Sequence, residues 1–219
     1  MATVGAVTVR VLVVDDDALV RTGLTLMLDG AEGIRVVTQV SDGALVPAAL
    51  DAHPVDVVLM DLRMPGVDGI AATRAVRRRQ DPPAVVVLTT FDTADEVEAA
   101  LHAGASGYLL KDTAPQRIVE AVLAAAAGDP VLSPRVARRL MDTTARAGGS
   151  RAAARASLDL LTERERDVVV AIGRGASNAE IARELYLTLA TVKAHVSSIL
   201  LKLGLENRTQ VALLVRDLR

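Results

Sequence analysis

Apolar positions follow two different regimes along this chain. In the first 128 residues, short runs rich in β-branched side chains occur at Val9–Val14, Ile34–Val40, Val55–Met60, Ala84–Leu88 and Gly107–Leu110. Between them lie longer segments in which apolar residues recur at helical spacing: Leu19–Leu28, Ala44–Leu50, Ile70–Arg78, Ala94–Ala103 and Ile118–Ala126. The short runs are apolar on both faces, as strands covered from both sides must be. Five strands each followed by a helix predict an α/β domain, a parallel sheet between two helix layers. Beyond residue 157 no strand-like run remains and four helices are expected. Three announce their starts with capping boxes, Thr162-x-x-Glu165, Ser177-x-x-Glu180 and Asn207-x-x-Gln210, and Thr188 supplies a cap for the other. The connecting stretch holds Gly128-Asp129-Pro130 and a run of small residues from Thr143 to Ser157, which predict a short helix near Pro134–Met141 and then a flexible linker. The expected organisation is an α/β domain over 1–128, a connection over 129–157 and an all-α four-helix domain over 158–219.

Composition narrows the class. A chain of 219 residues can bury two cores, and a makeup of 51% hydrophobic and 24% charged residues with net charge −2 excludes both a disordered tail and a grossly basic nucleic-acid coat. The absence of cysteine excludes disulfides, thiolate metal sites and a cysteine nucleophile. No apolar run approaches the roughly 18 residues of a membrane span, and no charged, apolar, cleavable leader is present, so a cytoplasmic protein without membrane attachment is expected. Charge is uneven: net −7 over residues 1–128, +4 over 129–157 and +1 over 158–219. Arginine outnumbers lysine 22 to 3, and only Phe91, Tyr108 and Tyr186 are aromatic.

The chemistry lies at the strand ends. The first run ends in Asp15-Asp16-Asp17, the third in Asp61, the fourth in Thr89-Thr90 and the fifth in Lys111. Open α/β sheets bind ligands beyond the carboxyl ends of their strands, and a strand order of 2-1-3-4-5 makes these four ends neighbours. A single carboxylate after a strand commonly just caps the next helix, and Asp17 before Ala18-Leu19 fits that role. Four reactive groups of complementary chemistry at four strand ends require another explanation. Clustered carboxylates repel one another unless a cation or a raised pKa resolves the conflict, and Mg²⁺ answers to carboxylate and carbonyl oxygens while sharing itself with a phosphate. With a lysine and a hydroxyl opposite, the set suits in-line phosphoryl transfer onto Asp61.

The segments VLVVDDDALVRTGL, DVVLMDLRMPGVDGI, VVVLTTFD and ASGYLLKD resemble the blocks of a two-component receiver domain. The segment LTERERDVVVAIGRGASNAEIARELYLTLATVKAHVSSILLKLG, followed by NRTQ, resembles a LuxR-type helix-turn-helix. Together they are similar to response regulators of the NarL/FixJ class over nearly the whole chain. The resemblance implies a five-stranded flavodoxin-like (CheY-like) receiver followed by a helix-turn-helix domain. Asp61 becomes the phospho-acceptor, with Asp16, Asp61 and the carbonyl of Arg63 as Mg²⁺ ligands and Asp15 helping through water. Lys111 and Thr89 bind the phosphoryl group, and Thr89 with Tyr108 forms the switch. A threonine drawn toward a phosphoryl oxygen vacates space for a ring to turn, although Tyr108 also fits a plain edge-strand core position. Two departures stand out. Asp17 occupies a place where the class often has histidine, and Thr90 is bulkier than the usual Gly or Ala. Thr90 and Phe91 at the pocket mouth predict poor water entry and a long-lived phosphoryl group.

In the C-terminal block, Ser177–Leu185 and Thr188–Leu203 form two helices joined by a tight turn at Tyr186-Leu187. Val192, Val196, Ile199 and Leu203 mark the buried stripe of the second, which turns Ala190, Lys193, Ala194, Ser197 and Leu201 outward. This face fits a recognition helix in the major groove, with Lys193 reaching guanine or phosphate and Ser197 donating or accepting. The resemblance adds Thr188, Thr191 and Arg208 as phosphate contacts, and Ala194 lies on the reading face. A net charge of +1 predicts weak, salt-sensitive binding by one domain, so that a homodimer on two half-sites is needed. Leu201 suits burial against the receiver or a second subunit, and the stripe Val211, Leu214, Val215, Leu218 suits either core or dimer contact. The partners implied are a sensor histidine kinase, double-stranded DNA, a second copy once phosphorylated, and RNA polymerase. Arg63 stands two residues past Asp61, where hydrolases on similar sheets commonly need an acid/base carboxylate, so turnover of external substrates and an enzyme reading are disfavoured. A phosphorylation-independent regulator that uses the receiver as a dimerisation module is the alternative, and the intact Asp16, Asp61, Thr89 and Lys111 set speaks against it.

Overall fold

A computed structural model describes residues 8–90, 93–129, 131–132, 158–205 and 207–216. The helix expected near Pro134–Met141, the linker after it, Phe91 and Leu218 lie outside the described residues. The N-terminal block alternates as β1 (Val9–Val14), α1 (Ala18–Asp29), β2 (Ile34–Val40), α2 (Val46–Ala52), β3 (Val57–Met60), α3 (Gly69–Arg77), β4 (Ala84–Thr89), α4 (Ala94–His102), β5 (Gly107–Leu110) and α5 (Pro115–Ala127). All strand pairs are parallel and the sheet order is β2-β1-β3-β4-β5-β6. The first five strands take the expected order.

The sixth strand, β6 (Val131–Leu132), is a departure: the sequence placed these residues in the connection. Val131 N donates to Ser106 O at 3.2 Å, and its side chain packs over Gly107, so the two residues cover the open edge of β5.

Strand residues alternate between the two helix layers as a period of two demands. Val11 and Val13 face the layer of α1 and α5 with Leu28, Ile118 and Val122. Leu12 and Val14 face α2 and α3 with Val46, Ala72 and Val76. A third cluster packs α4 over β4 and β5, on the same face as α2 and α3, through Val87, Val97, Leu101 and Tyr108.

The C-terminal domain consists of α6 (Glu163–Gly173), α7 (Asn178–Glu184), α8 (Leu189–Leu203) and α9 (Arg208–Arg216). Both upstream capping boxes form, at Thr162 with Glu165 and at Ser177 with Glu180, and Thr188 Oγ1 accepts from Thr191 N. The core gathers Val168, Ile172, Ile181, Val192, Val196, Ile199, Val211 and Val215. Val211 and Val215 of the last helix therefore serve the domain's own core.

The two domains touch at the end of the sheet opposite the strand-end aspartates. Asn178 N donates to Asp129 Oδ1 at 2.7 Å and its Nδ2 to Ala127 O at 3.0 Å. Asn207 Nδ2 and Gln210 Nε2 both donate to Leu101 O, at 2.9 and 3.1 Å. Thus the third capping motif has a second use: Asn207 Oδ1 accepts from Gln210 N as a cap does, while both side-chain amides reach the receiver. A cavity of about 350 Å³, lined by Arg77, Pro82, Ser106, Leu200 and Thr209 among others, leaves this contact loosely packed.

Candidate functional site

The strand order brings the expected groups together. Asp61 follows β3, its N–H donating to Val14 O at 2.8 Å, which locks the end of β3 beside that of β1. Lys111 N donates to Thr89 O at 2.8 Å and ties the ends of β5 and β4 in the same way. With the backbones fixed, the side chains meet. Lys111 Nζ lies 2.9 Å from Asp61 Oδ2 and 2.6 Å from Asp15 Oδ2, and Asp61 Oδ1 accepts from Leu62 N at 2.7 Å. Asp15, Asp16 and Asp61 each offer a carboxylate oxygen within 4.8 Å of the others. Asp15 and Asp61 are buried and Asp16 is exposed, so the cluster opens on one side. Asp16, Arg63 and Glu96 line a cleft at that opening.

Burial pushes the Asp15 carboxyl above its usual value and Asp61 adds repulsion, against the pull of Lys111 and the Asp17 N–H. Burial alone would lower the Lys111 ammonium, but its two carboxylate partners outweigh that, and its pKa is raised. Lys111 is therefore a positive charge fixed between the Asp15 and Asp61 carboxylates. Asp17 caps α1 as expected, accepting from Leu19 N and Val20 N. Thr89 and Tyr108 are completely buried, on adjacent strands two register positions apart, and Thr90 is exposed.

Several supporting residues were missed by the sequence reading. Arg21 donates to the carbonyls of Asp15 and Asp16 at 2.7 and 3.1 Å, pinning the acidic loop from α1. Arg63 pairs with Glu96 of α4 at 2.9 Å across the mouth of the site. Gly69 begins α3 so close to the loop that a Cβ there would lie 2.0 Å from Asp61 O. The only sequence hint of this crossing was Asp68-Gly69 ahead of an apolar helix, which marks a helix start without revealing what lies beneath it.

In the second domain, α8 buries Val192, Val196 and Ile199 and exposes Ala190, Lys193, Ala194, Ser197 and Leu201, as its periodicity required. Thr191 turns its hydroxyl to Thr188, 2.8 Å away. Lys193 Nζ donates to Ala126 O at the end of α5 at 3.3 Å, so the receiver holds the one ammonium of this face. Two expectations need correction. Arg208 does not present its charge to solvent: it is 5% exposed and donates to Asn178 Oδ1 and Ala176 O, where burial lowers its pKa and Asp129 partly offsets this. Leu201, 85% exposed, is not covered by the receiver, the first of its two expected partners; Leu200, a quarter turn away, and Val196 line the cavity between the domains instead.

The rear of α8 is anchored by Glu165. It accepts from Lys202 Nζ at 2.7 and 2.9 Å, Ser198 Oγ at 2.7 Å and Thr162 N at 2.8 Å. Burial would raise this carboxyl, but those donors hold it at about 2.

A parallel sheet with this acidic cluster, joined to a four-helix domain whose third helix keeps an exposed face, defines a receiver linked to a helix-turn-helix module. Comparison with known families agrees. Residues 11–123 match the response regulator receiver domain, and residues 159–215 match the bacterial regulatory proteins of the luxR family. The transcriptional regulatory protein LiaR of Bacillus subtilis is 40% identical over 205 residues, covering 93% of this chain and 95% of LiaR. The crystal structure of ChrA, response regulator of a heme-sensing two-component system, is 38% identical with a TM-score of 0.53, over 96% of this chain and 97% of that one. A structure of two RcsB dimers bound to two parallel DNAs is 25% identical with a TM-score of 0.57, over 97% of this chain and 100% of that one. The chain belongs to the two-component response regulators with a LuxR-type DNA-binding domain.

Proposed function

We propose that this regulator is switched by phosphorylation of Asp61 and then binds DNA as a dimer. The observation that carries the reading is the Asp61 carboxylate, fixed at a strand end against Lys111 with Asp15 and Asp16 beside it. A histidine kinase supplies the phosphoryl group: an Asp61 carboxylate oxygen attacks phosphorus, the bond to the donor nitrogen breaks, and the imidazole leaves. Oxygens of Asp15, Asp16 and Asp61 that close together suit a hard divalent cation; Asp16, Asp61 and the Arg63 carbonyl would hold Mg²⁺, which would supply positive charge for the phosphoryl oxygens. Lys111 neutralises the same group from the opposite side. Thr89 moves to hydrogen-bond a phosphoryl oxygen, and Tyr108 on the neighbouring strand repacks into the space it leaves.

The docked arrangement supports control by separation. Lys193 spends one of its three N–H donors on Ala126 O and lies against the receiver, so full approach of this face to DNA calls for the domains to part. The loosely packed, largely polar contact between them suits a reversible opening. Once free, Thr188, Thr191, Lys193, Ala194 and Ser197 would face DNA, with RNA polymerase as a further partner. Among the described residues no helix is long and apolar enough to cross a membrane, and a cytoplasmic location is part of this proposal.

The test is sedimentation and DNA binding with Mg²⁺ and beryllofluoride on wild type and Asp61→Asn. A gain in dimer and in DNA affinity confined to wild type is expected. Equal DNA binding by both proteins would instead select the phosphorylation-independent regulator.

A further inference from the structure

Tyr186 gives nothing to the fold that contains it. It sits in the turn between α7 and α8, two residues before the cap Thr188, and is 96% exposed. Its φ is +55°, in the left-handed region where a tyrosine Cβ is crowded and glycine or asparagine is the usual occupant. The turn requires this conformation, because the chain must end α7, donate Leu187 N to Ala182 O at 2.8 Å, and start α8 in a new direction. Glycine would make the same turn without strain. Among the described residues the Tyr186 hydroxyl has no hydrogen-bond partner. An exposed aromatic ring on a strained backbone, in a chain with three aromatic residues, points to a partner outside the domain.

We propose that Tyr186 is a DNA-backbone contact, its phenol donating to a phosphate oxygen while the ring covers the adjoining sugar. The proposal rests on the DNA-binding reading above. A helix whose N-terminal half enters the major groove brings the residues just before it against a phosphate strand. Tyr186 immediately precedes that half of α8, beside the exposed Arg183 at the end of α7 and the exposed Thr188 and Leu189. A neutral donor also suits a domain whose net charge is only +1, since it adds affinity without adding cations.

The experiment measures binding of the full chain, with Mg²⁺ and beryllofluoride, to a duplex selected from a random library on wild type and to an unselected duplex. Tyr186→Phe removes only the hydroxyl. It is expected to weaken both duplexes alike by roughly tenfold per dimer, because phosphate contacts carry no base information. The salt slope stays at the wild-type value, since no charge is lost. Tyr186→Gly binds more weakly still, yet its thermal midpoint equals or exceeds that of wild type because the strained residue is gone. Wild-type affinity in both variants would overturn the proposal while leaving DNA binding intact. Normal DNA affinity with lost transcriptional activation would also overturn it, in favour of a protein contact. If wild type itself retained neither duplex, the DNA reading would fail and this contact with it.

Discussion

Asp61 is held in place by a hydrogen atom. The α carbon of Gly69 passes over the backbone of Asp61 and Leu62, where a methyl group would come within 2.0 Å of one carbonyl oxygen and 2.8 Å of one α carbon. Backbone on both sides cannot yield as a flexible side chain would. Gly69→Ala should therefore destabilise the receiver by about 1–3 kcal/mol in denaturant melts, and slow phosphoryl incorporation by displacing the acceptor. A variant with both stability and incorporation rate unchanged would contradict the close approach. Glu165 makes a different residue-level prediction. Its pKa of about 2 lies below the ordinary 4.5, so the stabilisation it gives is fully present above pH 4.5 and is lost as pH falls toward 2. Glu165→Gln should flatten the acid limb of the C-terminal domain's stability profile in that window. It should also cost on the order of 1–3 kcal/mol at neutral pH, because the charge opposite Lys202 is lost and one acceptor oxygen becomes an N–H donor facing other donors.

At the scale of elements, the sequence was legible wherever periodicity met a local signal. The caps of α1, α6, α7 and α8 formed on Asp17, Thr162, Ser177 and Thr188 because each bond joins residues two or three apart. The two faces of α8 followed from rotation alone. Strand β6 was not legible: two residues have no period, and Val131 pairs because β5 offers an open edge. Leu201 shows where face assignment stops. Periodicity turned it outward correctly, but which residues of α8 meet the receiver depends on the docking angle, which put Leu200 and the rim of Val196 there instead. Leu201→Glu should consequently leave the isolated thermal transition of the C-terminal domain within about 0.5 kcal/mol of wild type, as an exposed substitution does; a large loss would mean that the side chain is covered in the free protein.

At the scale of the whole molecule, a handful of polar bonds join the two domains. Asp129 accepts from Asn178 and lies near Arg208, which is buried against neutral oxygens only. Asp129→Ala removes the acceptor and the carboxylate that partly compensates Arg208. It should loosen the contact, enlarge the radius of gyration in X-ray scattering and raise the DNA affinity of the unphosphorylated chain severalfold. Unchanged scattering and unchanged affinity would show that these bonds do not govern closure. None of this contact could be read from the chain, since Asn207 and Leu101 are 106 residues apart and no repeat or cap links them. The sequence by itself determined the sheet, its helix layers, the acidic cluster and the reading face of α8, because each follows from local period, or from the rule that parallel strands align their carboxyl ends. Only the tertiary structure decided that Gly69 must lack a side chain, that Arg208 is buried and that Lys193 is held by α5. Those outcomes depend on surfaces meeting at one particular distance and angle, which residue type and spacing do not encode locally.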